Sequence, residues 1–187
     1  MKYLIAGLGN PGEEYSGTRH NIGFVILDAL ASASNVPFKS ARLADTCTLK
    51  HMGRSFVLIK PSTFVNLSGR AVHYWLKKEK IPLEQMMVVL DDIALPFGTL
   101  RVRAKGGSGG HNGLEHISQI LGTQNYARLR FGIGSEYFPG QQINHVLGKW
   151  IPEEEAALEN RVKTAKDIIL SFGKKGLART MNEYNNK

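Results

Sequence analysis

Short apolar runs alternate with amphipathic stretches along the whole chain. The runs "KYLIAG", "TCTLKH", "SFVLIK", "MMVVLD", "LRVRAK" and "LRFGIG" are each bounded by Gly, Pro or polar residues and read as strands. Between and after them, apolar residues recur at helical spacing in "IGFVILDALAS", "NLSGRAVHYWLKK", "LEHISQIL" and from Pro152 to about Phe172. The last of these opens on Pro-Glu-Glu-Glu and closes on basic residues and Gly, an asymmetry that complements the helix dipole. Strands alternating with helices predict an α/β fold. The expectation is one domain over residues 1–187, with a mixed, mostly parallel twisted sheet flanked by helices. No repeat, low-complexity tract or linker interrupts the pattern. The polar "SEYFPGQQINH", with its Pro-Gly, is expected to be a flap over a cleft or a surface loop.

Composition narrows the function classes. No apolar run approaches the roughly 20 residues of a membrane span. The apolar N-terminus runs into Gly-Asn-Pro-Gly without a cleavage site, so it reads as a first strand rather than an export signal, and the expected location is the cytoplasm. The single cysteine, Cys47, excludes an intramolecular disulfide and a cysteine-rich metal site, and its neighbours suggest a strand. A net charge of +8 and a pI near 9.6 favour encounters with polyanions, which makes nucleic acid a candidate partner.

Three motifs point to chemistries that their surroundings do not support. "GLGNPG" at 7–12 has the spacing of a dinucleotide-binding turn, but that turn must open directly into a helix whose amides meet a pyrophosphate. Here "NPGEEYSGTRHN" follows, a long loop with no helical periodicity before Ile22. Asp28, the nearest acid at the right distance, falls within the first helix. "GGSGG" at 106–110 matches a nucleophile elbow between a strand and a helix, yet "GGHNG" stretches the turn beyond Ser108. A serine esterase acting through Ser108 remains an alternative. "HNGLEH" fits neither zinc-protease spacing, and no metal or other cofactor is expected.

Other polar residues gather where an open α/β sheet binds ligands, at the carboxyl ends of its strands. Asn10 follows the first strand, Asp91 ends "MMVVLD", "GGSGGHNG" follows "LRVRAK", and Asn66 lies at a helix start just after "SFVLIKP". His20, at the end of the long loop, is the candidate base; Asn21 beside it could cap the first helix. A neutral imidazole accepts a proton near pH 7 if a carboxylate fixes its tautomer, and Asp91 is the first candidate for that carboxylate, Asp92 the second. The alternative is a structural histidine beside a capping asparagine. With no serine or cysteine as clearly placed, such a pair would activate water. Asn10, Asn66 and Asn112 could then hold a carbonyl and the water, with glycine-loop amides as oxyanion donors, although each asparagine alone is more often a turn or cap residue. Arg101, Arg103 and Lys105 alternate along one strand and Arg128 and Arg130 along another, so each set shares a face. They could form a phosphate clamp or a solvated sheet face.

"GLGNPGEEYSGTRHNIGF", "KPSTFVNLSG", "LDDIALPFGTLRVRAKGGSGGHNGL" and "RLRFGIG" resemble, in order, the signatures of bacterial-type peptidyl-tRNA hydrolases, from residue 3 to about residue 148; "LARTMNEYN" resembles that family's ending. The resemblance implies a monomeric, metal-independent esterase that cuts the ester between a nascent peptide and the 3'-terminal ribose of tRNA. It implies His20 as catalytic base and Asp91 as its orienting partner, and Asn10, Asn66 and Asn112 as holders of substrate and water. Tyr15 would lie beside the site, and Gly110 and His111 would border the cleft. Arg103 and Arg130 match positions that bind the 5'-phosphate of the acceptor stem, and the segment after Gly134 would form part of a lid. Two positions depart from the family's pattern. Val65 stands for a methionine, which alters the apolar floor under the substrate, and Ala94 stands for an acid. A non-enzymatic RNA-binding protein of the same fold is the closest rival reading.

Overall fold

The computed structural model describes residues 1–186. In chain order the elements are β1 (Lys2–Gly7), α1 (Ile22–Ala33), β2 (Lys39–Ala41), β3 (Ala44–His51), β4 (Arg54–Pro61), α2 (Ser68–Glu79), β5 (Met86–Asp92), β6 (Leu100–Arg103), α3 (Asn112–Leu121), β7 (Ala127–Gly132), α4 (Gln142–Val146), α5 (Pro152–Lys175) and α6 (Leu177–Tyr184). Seven strands form one sheet in the order β2-β3-β4-β1-β5-β7-β6. The expected mixed α/β sheet is present, with its parallel part at the centre: β4, β1, β5 and β7 run the same way. The remaining pairings, β2 with β3, β3 with β4 and β6 with β7, are antiparallel and lie toward the two edges.

Burial explains the layers. β5 is buried at every position, as a central parallel strand covered on both faces must be. Ile5, Leu58, Met87, Val89, Leu129 and Phe131 pack on one face with Ile22, Ile26, Leu27 and Leu30 of α1 and Val162, Ile168, Ile169 and Phe172 of α5. On the other face Leu4, Ala6, Val57, Ile59, Val88 and Leu90 meet Val72 and Trp75 of α2 and Leu114 and Ile117 of α3. Cys47 lies buried in β3, and burial pushes its thiol up to about 11, so it stays an inert thiol.

The glycines of "GLGNPG" serve close packing. A Cβ on Gly7 would sit 2.5 Å from the Gly23 carbonyl oxygen, and one on Gly23 would sit 2.5 Å from the Leu8 nitrogen. This mutual approach brings the first turn of α1 against the carboxyl end of β1 and sets down the loop residues that precede it. A helix does not begin at these glycines; 3-10 turns at Glu13–Tyr15 and Arg19–Asn21 intervene, as the loop reading requires.

Arg128 departs from the expected clamp. Opposite it in the ladder is Arg103, and opposite Arg130 is Arg101, so the strand arginines do share a face. Arg128, however, is fully buried. Its guanidinium donates to the carbonyls of Gly106 at 2.6 Å, Gln124 at 2.7 Å and Tyr126 at 3.2 Å, and packs over the Tyr126 ring. It is a strut for the glycine loop, with its donors committed. At the β6 edge, Asn185 accepts from the Val102 N–H at 2.8 Å and donates to the Val102 carbonyl at 3.0 Å, closing that stretch of open ladder.

Arg128→Ala leaves buried carbonyls without donors, and it should lower unfolding stability by about 2–4 kcal/mol. Urea denaturation checks this; a loss under about 0.5 kcal/mol would show the carbonyls to be satisfied by water.

Candidate active site

The carboxyl ends of β1, β4, β5 and β7 meet at one rim of the sheet, and a cavity of about 310 Å³ opens there. Its lining includes Asn10, His20, Val65, Asp91, Gly110, His111, Asn112 and Arg130. Strand alternation at the end of β5 turns its adjacent carboxylates to opposite sides. Asp91 faces His20, with Nδ1 3.0 Å from each carboxylate oxygen. Asp92 accepts from the Ala94 N–H at 2.8 Å and lies 2.7 Å from Nε of Arg130, as an ion pair whose angle is outside hydrogen-bond geometry. The second candidate orienter therefore serves the arginine.

Burial governs the charges. His20 and Asp91 are 7% and 4% exposed. Burial opposes a charge on His20, but the hydrogen bond and the charge of Asp91 outweigh it and raise the imidazole above its ordinary value. Burial alone would lift the Asp91 carboxyl; electrostatic attraction to His111, with hydrogen bonds from His111 and His20, holds it well below the usual carboxylate range. A carboxylate facing Nδ1 keeps the proton there and leaves Nε2 as the free base.

Asn10 is locked into place. Its N–H donates to Asn21 Oδ1 and its carbonyl accepts from Asn21 Nδ2, both at 2.9 Å. Asn21 therefore pairs with the β1 loop, and it makes no side-chain cap on α1, contrary to expectation. Asn10 Oδ1 accepts from the Val65 N–H at 2.8 Å, which leaves Nδ2 as its available donor. Asn112 begins α3, exposed, in the cavity wall. Asn66 is exposed in the 3-10 turn before α2, next to Val65 but outside the cavity lining. Tyr15 stacks edge-on against Phe64, also outside the lining. Arg103 is half-buried on β6 and does not line the cavity.

His111 does more than border the cleft. Its Nε2 lies 2.9 Å from Asp91 Oδ1, and its Nδ1 accepts from the backbone N–H groups of Gly113 and Leu114 as the N-cap of α3. Periodicity could not reveal this, because His is an uncommon cap and its partner is 20 residues away. His20, Asp91 and His111 together offer the donors of a divalent-cation site. The hydrogen bonds speak against that use. With Nδ1 accepting, the His111 proton sits on Nε2, and ligating a metal there would move it to Nδ1, against two N–H donors.

The elbow serine has other partners. Ser108 lines the cavity, but its Oγ accepts from Gly110 N–H at 3.3 Å, and among the described residues no imidazole or carboxylate is hydrogen-bonded to it. α3 starts four residues beyond it, at Asn112. Missed by the sequence reading was Arg19, whose guanidinium bonds Glu154 at 2.9 Å and the His145 carbonyl at 3.0 Å, fastening α4 and α5 to the His20 turn.

The fold and cleft define an α/β protein with a buried histidine–carboxylate pair at the carboxyl ends of its parallel strands. Comparison with known proteins identifies the kind. The family model described as peptidyl-tRNA hydrolase matches residues 4–187. The peptidyl-tRNA hydrolase of Phocaeicola vulgatus is 59% identical over all of both chains, and that of Bacteroides fragilis 57%. A crystal structure of peptidyl-tRNA hydrolase from Acinetobacter baumannii superposes with a TM-score of 0.91 at 32% identity, covering 98% of this chain and 94% of that one. The chain belongs to the peptidyl-tRNA hydrolase family. It is an enzyme that hydrolyses peptidyl-tRNA, and no described helix is long and apolar enough to cross a membrane.

The raised His20 and depressed Asp91 have opposite signatures in stability. The His20 contribution is full below about pH 6.5, its unfolded value, and is lost as pH rises through the higher folded value. The Asp91 contribution is present above about pH 4 and is lost in acid. The stability gap between wild type and Asp91→Asn should therefore be larger at pH 6 than at pH 9 in urea titrations. A gap that widened toward pH 9 would contradict the raised His20.

Proposed function

We propose that the chain cleaves the ester between the peptide and the 3'-terminal ribose of tRNA with His20 as base, Asp91 as its orienting partner and no metal. The observation that carries this reading is the His20 Nδ1 contact of 3.0 Å with both Asp91 oxygens, with the ring at the cavity wall. Nε2 takes a proton from water, and the oxygen attacks the ester carbonyl carbon. As the tetrahedral intermediate collapses, the carbon–oxygen bond to the ribose breaks and the imidazolium returns its proton to the leaving oxygen. The products are a peptide carboxylate and a free tRNA 3'-hydroxyl. Asp91 stabilises the imidazolium that forms in between.

Asn10 Nδ2 and the Asn112 amide donate to the carbonyl oxygen or hold the water, acting without net charge. Asn66, Tyr15 and Val65 meet the substrate at the adjoining rim, and Gly110 at the loop side. Arg130, held at Nε by Asp92, keeps its terminal nitrogens for phosphate, and Arg103, on the neighbouring strand, extends that contact. The chain is read as one domain acting as a monomer, since one copy supplies every group named. The cytoplasm, where ribosomes make peptidyl-tRNA, is its proposed location.

Hydrolysis of N-acetyl-aminoacyl-tRNA, with free-amino aminoacyl-tRNA as control, tests the base. His20→Ala should fold and lose about 10²–10⁴-fold in kcat, and the wild type should resist chelator. A well-folded wild type without activity would favour the RNA-binding rival, and an active His20→Ala would remove His20 as base. Arg103→Ala and Arg130→Ala should each raise KM and flatten the log–log salt dependence of binding by about one unit. Unchanged slopes in both variants would rule out the phosphate role.

A further inference from the structure

Asp91 faces two imidazoles, and the reaction as proposed uses only one. His111 is held from both sides. Its Nδ1 receives the Gly113 and Leu114 N–H groups at 3.2 and 3.4 Å, at the end of α3 where backbone donors lack intrahelical partners. Those donors fix the lone pair on Nδ1 and the proton on Nε2, 2.9 Å from Asp91 Oδ1. The His20 ring must carry the opposite tautomer, with its proton on Nδ1 toward the same carboxylate. The two ring centroids are 5.2 Å apart. A carboxylate that accepts a second strong donor has less negative charge to offer the first.

We propose that His111 is a positioning residue: locked by the α3 N-terminus as the Nε2–H tautomer, it fixes the Asp91 carboxylate and moderates how strongly that carboxylate supports positive charge on His20. The proposal rests on His20 acting as base with Asp91 as its partner. Its role is to keep the base from being trapped as imidazolium near neutral pH, a hazard for a buried His–Asp pair with no other donor. The surrounding charged groups have other partners or face elsewhere. Asp92 on β5 and Arg130 on β7 pair with each other. Arg19, beside His20, bonds Glu154. Nε2 of His145 on α4 bonds the Ile133 carbonyl, and Glu115 on α3 is exposed.

Two variants separate capping from donation. Asparagine is a good N-cap but is too short to reach Asp91, so His111→Asn keeps the helix start and loses the donor. Glutamine carries its amide nitrogen about as far out as an imidazole Nε2 and caps poorly, so His111→Gln restores donation at the expense of the cap. The acid limb of kcat/KM against pH should move upward by about 0.5–1 unit in His111→Asn and stay near its wild-type position in His111→Gln. Thermal melting should rank them the other way, with the glutamine variant the less stable. Nitrogen-15 NMR of the imidazoles in the resting wild type should find His111 protonated at Nε2 and His20 at Nδ1. An unmoved limb in His111→Asn, or a proton on Nδ1 of His111, would overturn the proposal. A wild-type profile with no acid limb would instead overturn His20 as base, and the proposal with it.

Discussion

A carboxylate almost without solvent, at the end of the most buried strand, is the constraint on which the rest of the site depends. Taking Asp91 out of water costs several kcal/mol unless donors replace the solvent. β5 lies at the centre of the sheet, buried at every position, so those donors must come from segments beyond the ends of the parallel strands. Two such segments converge: the loop after β1 brings His20, and the glycine loop before α3 brings His111. The desolvation that makes Asp91 costly to bury also makes it an effective partner for an imidazole, because the attraction is little screened.

The loop that carries His20 needs its own anchorage. Gly23 lets α1 begin against the Leu8 backbone, and the Asn21 side-chain amide ties the loop to the Asn10 backbone by two reciprocal bonds. Arg19 fixes the other side. Its N–H donates to the Gly148 carbonyl at 2.9 Å, and its guanidinium forms a buried pair with Glu154 at the start of α5. Burying such a pair is weak evidence of stability by itself, since desolvation offsets much of the attraction. Its geometric effect is firmer, for it joins the turn holding His20 to the segment holding α4, whose Gln142, Ile143 and Val146 line the same cavity.

Much of this was legible in the sequence because strand and helix periods are local. The six apolar runs all became strands, and of the polar residues at their ends Asn10, Asp91 and the glycine loop line one cavity, with Asn66 outside its lining. What escaped was set by contacts distant in sequence. β2, Lys39–Ala41, is exposed at all its residues and carries no alternation, so only its pairing with β3 makes it a strand. Arg128 and Arg130 look equivalent in "RLRFG", yet the carbonyls of Gly106 and Gln124 bury the first while Asp92 leaves the second beside the cavity. Asn21 carried a cap signal, and tertiary pairing with Asn10 overrode it. The cap role of His111 and its reach to Asp91 depend on a helix start that no spacing rule specifies.

The period of two that made the strands readable also divides the labour at the site. Asp91 and Asp92 are neighbours, but a strand sends successive side chains to opposite faces. Asp91 therefore meets His20 and His111, and Asp92 reaches the face where Arg130 stands next to β6. Had both carboxylates faced the same way, each would have raised the other's proton affinity, and the imidazoles and the arginine would have competed for one pool of negative charge. Separated by the pleat, one carboxylate holds two imidazoles and the other steadies an arginine, within a single cavity and one residue apart. The substrate that this chain hydrolyses has the same two features side by side, an ester to be cut and a polyanion to be held.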